Sequence, residues 1–154
     1  MNYKLVALLL GIIFLNLSCE KDKSNQNSDF FPPVNFDINI NLSLPDAAPL
    51  LNVGGYVYRD GQGVGYKGIV IYNNFDDYIA FDRACPYKVD SACSKIYVSS
   101  NSSNFQCGPG NSRCCASEFF ITTGTVSKGP AERALRQYYV THSGNYLRVT
   151  SYPQ

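Results

Sequence analysis

From Val34 onward the chain alternates apolar and polar positions with a period of two. Val34, Phe36, Ile38, Ile40 and Leu42 are separated by single polar residues, which places one face of a strand on a core. Pro45 to Pro49 reads as a loop. Gly54 to Tyr58 and Ile69 to Tyr72 predict two more strands, joined by a connection that carries Gly61, Gly63, Gly65 and Gly68. Asn73 to Asp77 predicts a polar turn into a strand over Tyr78 to Phe81. Further strands are expected at Lys95–Ser99, Asn104–Gln106, Phe119–Ile121, Gly124–Val126, Gln137–Thr141 and Tyr146–Thr150. The last two are joined by His142-Ser143-Gly144-Asn145, a hairpin turn by composition. Ala131 to Leu135 is the one stretch with helical propensity, and it is a single turn long.

Composition reinforces this pattern. Twelve Tyr and nine Phe with no Trp suit strands better than helices. Roughly nine or ten short strands with tight turns predict an all-β domain, an antiparallel sandwich or barrel.

The first eighteen residues differ from the rest. Lys4 is followed by an apolar run from Leu5 to Leu15, broken by Gly11. That run suits an export signal but is too short to cross a hydrocarbon core of about 30 Å as a helix. Leu15-Asn16-Leu17-Ser18-Cys19 then looks like a lipobox, with Asn16 where Leu is usual. The expected organisation is a lipoprotein signal peptide over 1–18 and a lipidated flexible tether over 19–33. A β domain over 34–152 follows. Cys19 is the expected site of lipidation, by palmitate or a similar acyl chain. Two or three chains hold a domain on a bilayer where one does not. The expected setting is the cell envelope, anchored to the outer or inner membrane and facing the periplasm or the cell surface.

Charge excludes one class of partner. Cleavage after Ser18 removes only Lys4 from thirteen basic residues, balancing the twelve acidic ones. A neutral chain with dispersed charges has no electrostatic footprint for nucleic acid. No Gly-x-Ser-x-Gly elbow, phosphate-binding loop or His-Glu-x-x-His motif occurs, so no enzyme activity is expected. A protein or glycan partner is left open.

Three blocks carry a resemblance. The first is Tyr78-Ile79-Ala80-Phe81-Asp82-Arg83-Ala84-Cys85-Pro86. The second is Cys115-Ala116-Ser117-Glu118-Phe119. The third is Gly124-Thr125-Val126 followed by Gly129-Pro130-Ala131, Leu135 and Tyr138-Tyr139-Val140. Together, over about residues 69–150, they resemble the Rieske [2Fe–2S] domain, in a ligand-altered form like that of Bacteroidetes-type lipoproteins. The resemblance implies a Rieske-like antiparallel β domain with a cysteine-bearing loop subdomain. In that family two thiolates hold one iron and two imidazoles hold the other. Carried over by position, the first thiolate is Cys85. The second is Ser112, or Cys107 if Gly108–Arg113 is an insertion. The imidazole positions fall on Tyr87 and Cys115. The sole histidine, His142, is expected to be exposed in its turn.

Without the family's histidines no metal or cofactor is expected, and the cysteines of an exported domain are expected to form disulfides. The candidates are Cys85, Cys93, Cys107, Cys114 and Cys115. Some Rieske domains carry a loop-to-loop disulfide whose second cysteine aligns with Cys114. The resemblance therefore implies that Cys85 pairs with Cys114 or Cys115, with Cys93–Cys107 as the simplest second bridge. The alternative is a metal site, a [2Fe–2S] cluster or a zinc ion, held by Cys85, Cys93, Cys107 and Cys115. The expected function is a cell-envelope lipoprotein with a structural or binding role. The alternative is an electron-transfer protein or oxidoreductase subunit with an atypical cluster.

Overall fold

A computed structural model describes residues 31–75 and 77–153 of the chain. The expected signal peptide, the expected lipidation site Cys19 and most of the expected tether lie outside the described residues.

Two antiparallel sheets make up the domain. Six strands form the larger one: β1 (Asp37–Asn41), β2 (Tyr56–Arg59), β3 (Ile69–Asn74), β4 (Asp77–Asp82), β9 (Gln137–Ser143) and β10 (Tyr146–Thr150), in the order β1-β10-β9-β4-β3-β2. Four strands form the smaller one: β5 (Ile96–Val98), β6 (Asn104–Cys107), β7 (Glu118–Phe120) and β8 (Val126–Lys128), in sequence order. The all-β Rieske-like architecture expected from the sequence is the one observed.

Strand β3 shows why the sheets pack as they do. Ile69, Val70 and Ile71 are all fully buried, because both faces of the strand are covered. Ile69 and Ile71 join Ala80, Tyr138, Leu147 and Val149 in one core. Val70 faces the other way, toward Phe81, Phe105, Phe119 and Leu135. The second core joins the larger sheet to the smaller one. Burial of these side chains stabilises each by about 1.5–3 kcal/mol relative to exposure.

Three local features depart from expectation. Pro45–Leu51 is a 3₁₀ helix rather than a loop, with Ala47 and Leu50 buried in the first core. Pro45 fixes the backbone angle at its first turn and Asp46 follows it, both common at helix starts. Ala131–Leu135, the expected helical turn, has no regular structure. Phe31 is buried against Ala84 and Val89, and its carbonyl accepts from Arg136 Nη2 at 2.6 Å. The packed domain thus takes in the last residues assigned to the tether. Among the described residues no helix is long and apolar enough to cross a membrane.

Candidate functional site

The two loops that carry the cysteines leave the sheets where strands end. β4 runs through Asp82 and Arg83 into Cys85. The loop from Cys85 returns to β5, its base closed by the bridge between Ala84 and Lys95 and by Cys85 N–H donating to Ser94 O at 3.0 Å. The second loop leaves β6 at Cys107 and returns at Ser117, whose carbonyl accepts from Cys107 N–H at 3.2 Å. Gly108 N–H donates to Lys95 O at 2.8 Å and stitches the loops together.

The Gly108–Arg113 stretch is an excursion that folds back on itself. Gly108 has φ 94°, and a Cβ there would stand 2.6 Å from Cys114 N and from Ser112 O. Only glycine allows that approach. The fold-back lets Cys114 N–H donate to Cys107 O at 3.0 Å, bringing the vicinal cysteines beside Cys107.

Three thiols converge as a result. The Sγ atoms of Cys85, Cys107 and Cys115 all lie within 4.8 Å of one another, and Cys85 Sγ is 3.8 Å from Cys115 Sγ. Cys85 and Cys107 are completely buried and Cys115 partly so. Of the two candidates for the second thiolate position, Cys107 therefore stands in the group, while Ser112 is exposed. The hydrogen bond with Cys85, and then burial, hold the Cys107 thiol well above its ordinary range. Cys115 Sγ is 3.2 Å from Ser117 Oγ, which accepts from Ala131 N–H at 2.9 Å. The Gly129-Pro130-Ala131 block thus backs the second loop.

The disulfide pairing differs from the expected one. Cys93 is bonded to Cys114, with Cα atoms 5.4 Å apart, and neither Cys85–Cys114/Cys115 nor Cys93–Cys107 is formed. A loop-to-loop bridge exists, but its first-loop member is the exposed Cys93. Cys85 points inward from the end of a strand. Adjacent residues of the second loop face opposite ways, so Cys114 meets Cys93 while Cys115 turns in toward Cys85. Cys93 is therefore tied up in the bridge, and the set of four thiolate ligands reduces to three free thiols among the described residues.

No histidine stands here. His142 lies in β9, exposed, with its ring 5.2 Å from that of Tyr78 and Nε2 2.8 Å from Gly144 O. The expected hairpin is tighter than its composition suggested, with only Gly144 and Asn145 in the loop. Tyr87 is half-buried beside the thiols. With Pro86, Lys88, Pro130, Ala131, Glu132 and Arg133 it lines a surface pocket.

Sequence reasoning missed the groups that hold the first loop. Asp82 is buried. Its carboxylate accepts from Ala84 N–H at 2.7 Å, Tyr66 N–H at 2.6 Å, Lys67 N–H at 3.3 Å and Tyr138 Oη–H at 2.6 Å. The glycine-rich connection wraps this carboxylate: Gly65, at φ 64°, would place a Cβ 2.8 Å from Gly68 O. Burial, and then the Asp82 charge, push the Tyr138 phenol far up. Arg83 is 3% exposed, forks onto Asp60 at 2.9 and 3.0 Å, and stacks 3.8 Å from the Tyr58 ring centre. Lys67 Nζ donates to Ser94 Oγ at 2.8 Å and to Ser91 O.

These features define a domain of the Rieske fold. Among solved structures, the cyanobacterial plasma membrane Rieske protein PetC3 from Synechocystis PCC 6803 is similar over 73% of this chain and 97% of its own. The identity is 24% and the TM-score 0.53. The ferredoxin of carbazole 1,9a-dioxygenase from Nocardioides aromaticivorans IC177 is similar over 76% of this chain and 97% of its own, at 16% identity and TM-score 0.46. No protein-family profile matches the sequence, and no curated protein matches it.

Proposed function

We propose that this protein is a lipid-anchored cell-envelope protein whose Rieske-fold domain works without a histidine-ligated iron–sulfur cluster, as a binding or structural module. One observation carries this reading. Carried over through the resemblance, the two imidazole positions of the family fall on Tyr87 and Cys115, and the only histidine of the chain sits exposed on β9. A phenol is a poor substitute for a neutral imidazole as a metal ligand. Among the described residues the donor set that remains is three thiols, whose Sγ atoms lie within 4.8 Å of one another. The Cys93–Cys114 bridge supplies a loop-to-loop constraint of the kind that cluster ligation supplies in the family.

The convergence of Cys85, Cys107 and Cys115 favours a second reading, an electron carrier with an atypical all-thiolate cluster. Visible absorption separates the two. Protein of the first kind is colourless when oxidised; a red-brown protein would overturn the proposal in favour of electron transfer. The anchor is tested separately: labelled palmitate should enter the wild-type chain and not Cys19→Ser. Equal labelling of the two would place the lipid elsewhere.

A further inference from the structure

We infer that Cys85, Cys107 and Cys115 form a mononuclear site for one soft, thiophilic cation of the Cu(I) class. This rests on the cluster-free reading above and names the ligand of the same loops. Metal–thiolate bonds of about 2.3 Å place three sulfurs in a trigonal plane around one ion about 4.0 Å apart. Cys85 and Cys115 already stand at 3.8 Å, and Cys107 lies within 4.8 Å of both. The site needs only a small contraction to close on a single ion.

The surroundings suit a soft cation. Thiolate donors select Cu(I) and zinc over the harder divalent ions. Zinc in a structural site takes four ligands, and the fourth nearby cysteines, Cys93 and Cys114, are consumed by their own disulfide. Three sulfurs, joined by no further His, Cys, Asp or Glu ligand atom among the described residues, match the low coordination that Cu(I) accepts. Cys85 and Cys107 are shut off from solvent, while the partly exposed Cys115 gives an entry. Ser117 Oγ, held by Ala131 N–H, lies 3.2 Å from Cys115 Sγ and fixes its direction. Lys67, whose ammonium is anchored on Ser94 Oγ and Ser91 O, braces the turn whose Ser94 carbonyl accepts from Cys85 N–H. Each sulfur that bonds to the ion releases its thiol proton to water, so uptake is accompanied by acid release.

The test is an anaerobic titration of the full-length protein, purified in detergent, with Cu(I) in competition with a chromogenic Cu(I) chelator. One equivalent should be withdrawn from the chelator, with near-ultraviolet thiolate–copper absorption. Losing a mere hydrogen-bond partner of a ligand weakens sites by about 10–100-fold. Cys107→Ser and Cys115→Ser should each weaken binding by more than that. The double variant Cys93→Ser/Cys114→Ser should still bind one equivalent, because the bridge is not part of the site. Circular dichroism of each variant checks the fold. No uptake by a colourless wild-type protein would overturn this inference alone, as would unchanged binding in Cys107→Ser or a Cys85–Cys115 disulfide in the isolated protein. Two irons with inorganic sulfide in the isolated protein would overturn the cluster-free reading as well.

Discussion

Cys85 Sγ and Cys115 Sγ stand 3.8 Å apart across the two loops, in contact but unbonded, while the neighbour of Cys115 is bonded to Cys93. The vicinal pair thus divides its work. Cys114 clamps the loops on the outside and Cys115 completes a thiol group on the inside. Peptide mapping of non-reduced protein should recover Cys93 linked to Cys114. Cys85, Cys107 and Cys115 should react with alkylating agent only once the domain is unfolded or, for Cys115, slowly before that. Recovery of a Cys93–Cys107 peptide would contradict this pairing.

Reduction of that bridge should loosen the loops and leave the sheets. A crosslink spanning 21 residues restricts the unfolded chain by about 3 kcal/mol. The core residues of β3, β4, β6 and β7 are buried mainly by apolar contact with one another, with Cys114 the one member of the bridge packed against them. Hydrogen exchange after mild reduction should rise first in the two loops, across residues 85–94 and 108–117, with β3 and β4 protected longest. Uniform loss of protection would show that the loops and the sheets unfold as one unit.

How the second loop closes was not legible in the sequence, because it depends on one backbone position. Gly108→Ala must adopt φ near 94° with a Cβ against Cys114 N. Strain of this type costs about 1–3 kcal/mol, and the steric overlap adds to it. Denaturant unfolding should show a lower midpoint, and Cys107 should become accessible to alkylation in the native state. An unchanged midpoint would mean that the loop closes by another route.

What the sequence did reveal followed from periodicity. The run from Phe36 to Leu42 contains β1, and Phe36, Ile40 and Leu42 are buried as alternation requires. Tyr146–Thr150 was placed residue for residue. Pairing of distant residues was less legible. Cys93, Cys107, Cys114 and Cys115 have no sequence signal that selects partners, since the choice rests on the fold-back at Gly108. No feature of the sequence marks Asp82 and Arg83, beside a strand end, as buried. Their burial depends on the glycine-rich connection folding over them, which no period of two reports.

The Arg83–Asp60 pair gives the domain an acid-sensitive element. Burial raises the Asp60 carboxyl, but Lys95 and Arg83 outweigh it and hold the group below its usual value of 3.8. A depressed folded-state value means that the stabilisation is full above pH 3.8 and is lost as pH falls through the folded value. Protonation leaves the buried Arg83 guanidinium without its counter-charge. Asp60→Asn should therefore be less stable than wild type at neutral pH, with the difference shrinking below about pH 4. Urea midpoints measured across pH check this, and a constant difference would assign the effect to packing.

The most direct test is iron and acid-labile sulfide analysis of the purified protein, joined to electron paramagnetic resonance after dithionite reduction. On the proposed reading, which puts Tyr87 and Cys115 at the imidazole positions, the protein should contain no sulfide and give no iron–sulfur signal. Two irons and two sulfides per chain, with a reduced-state resonance, would contradict the cluster-free reading.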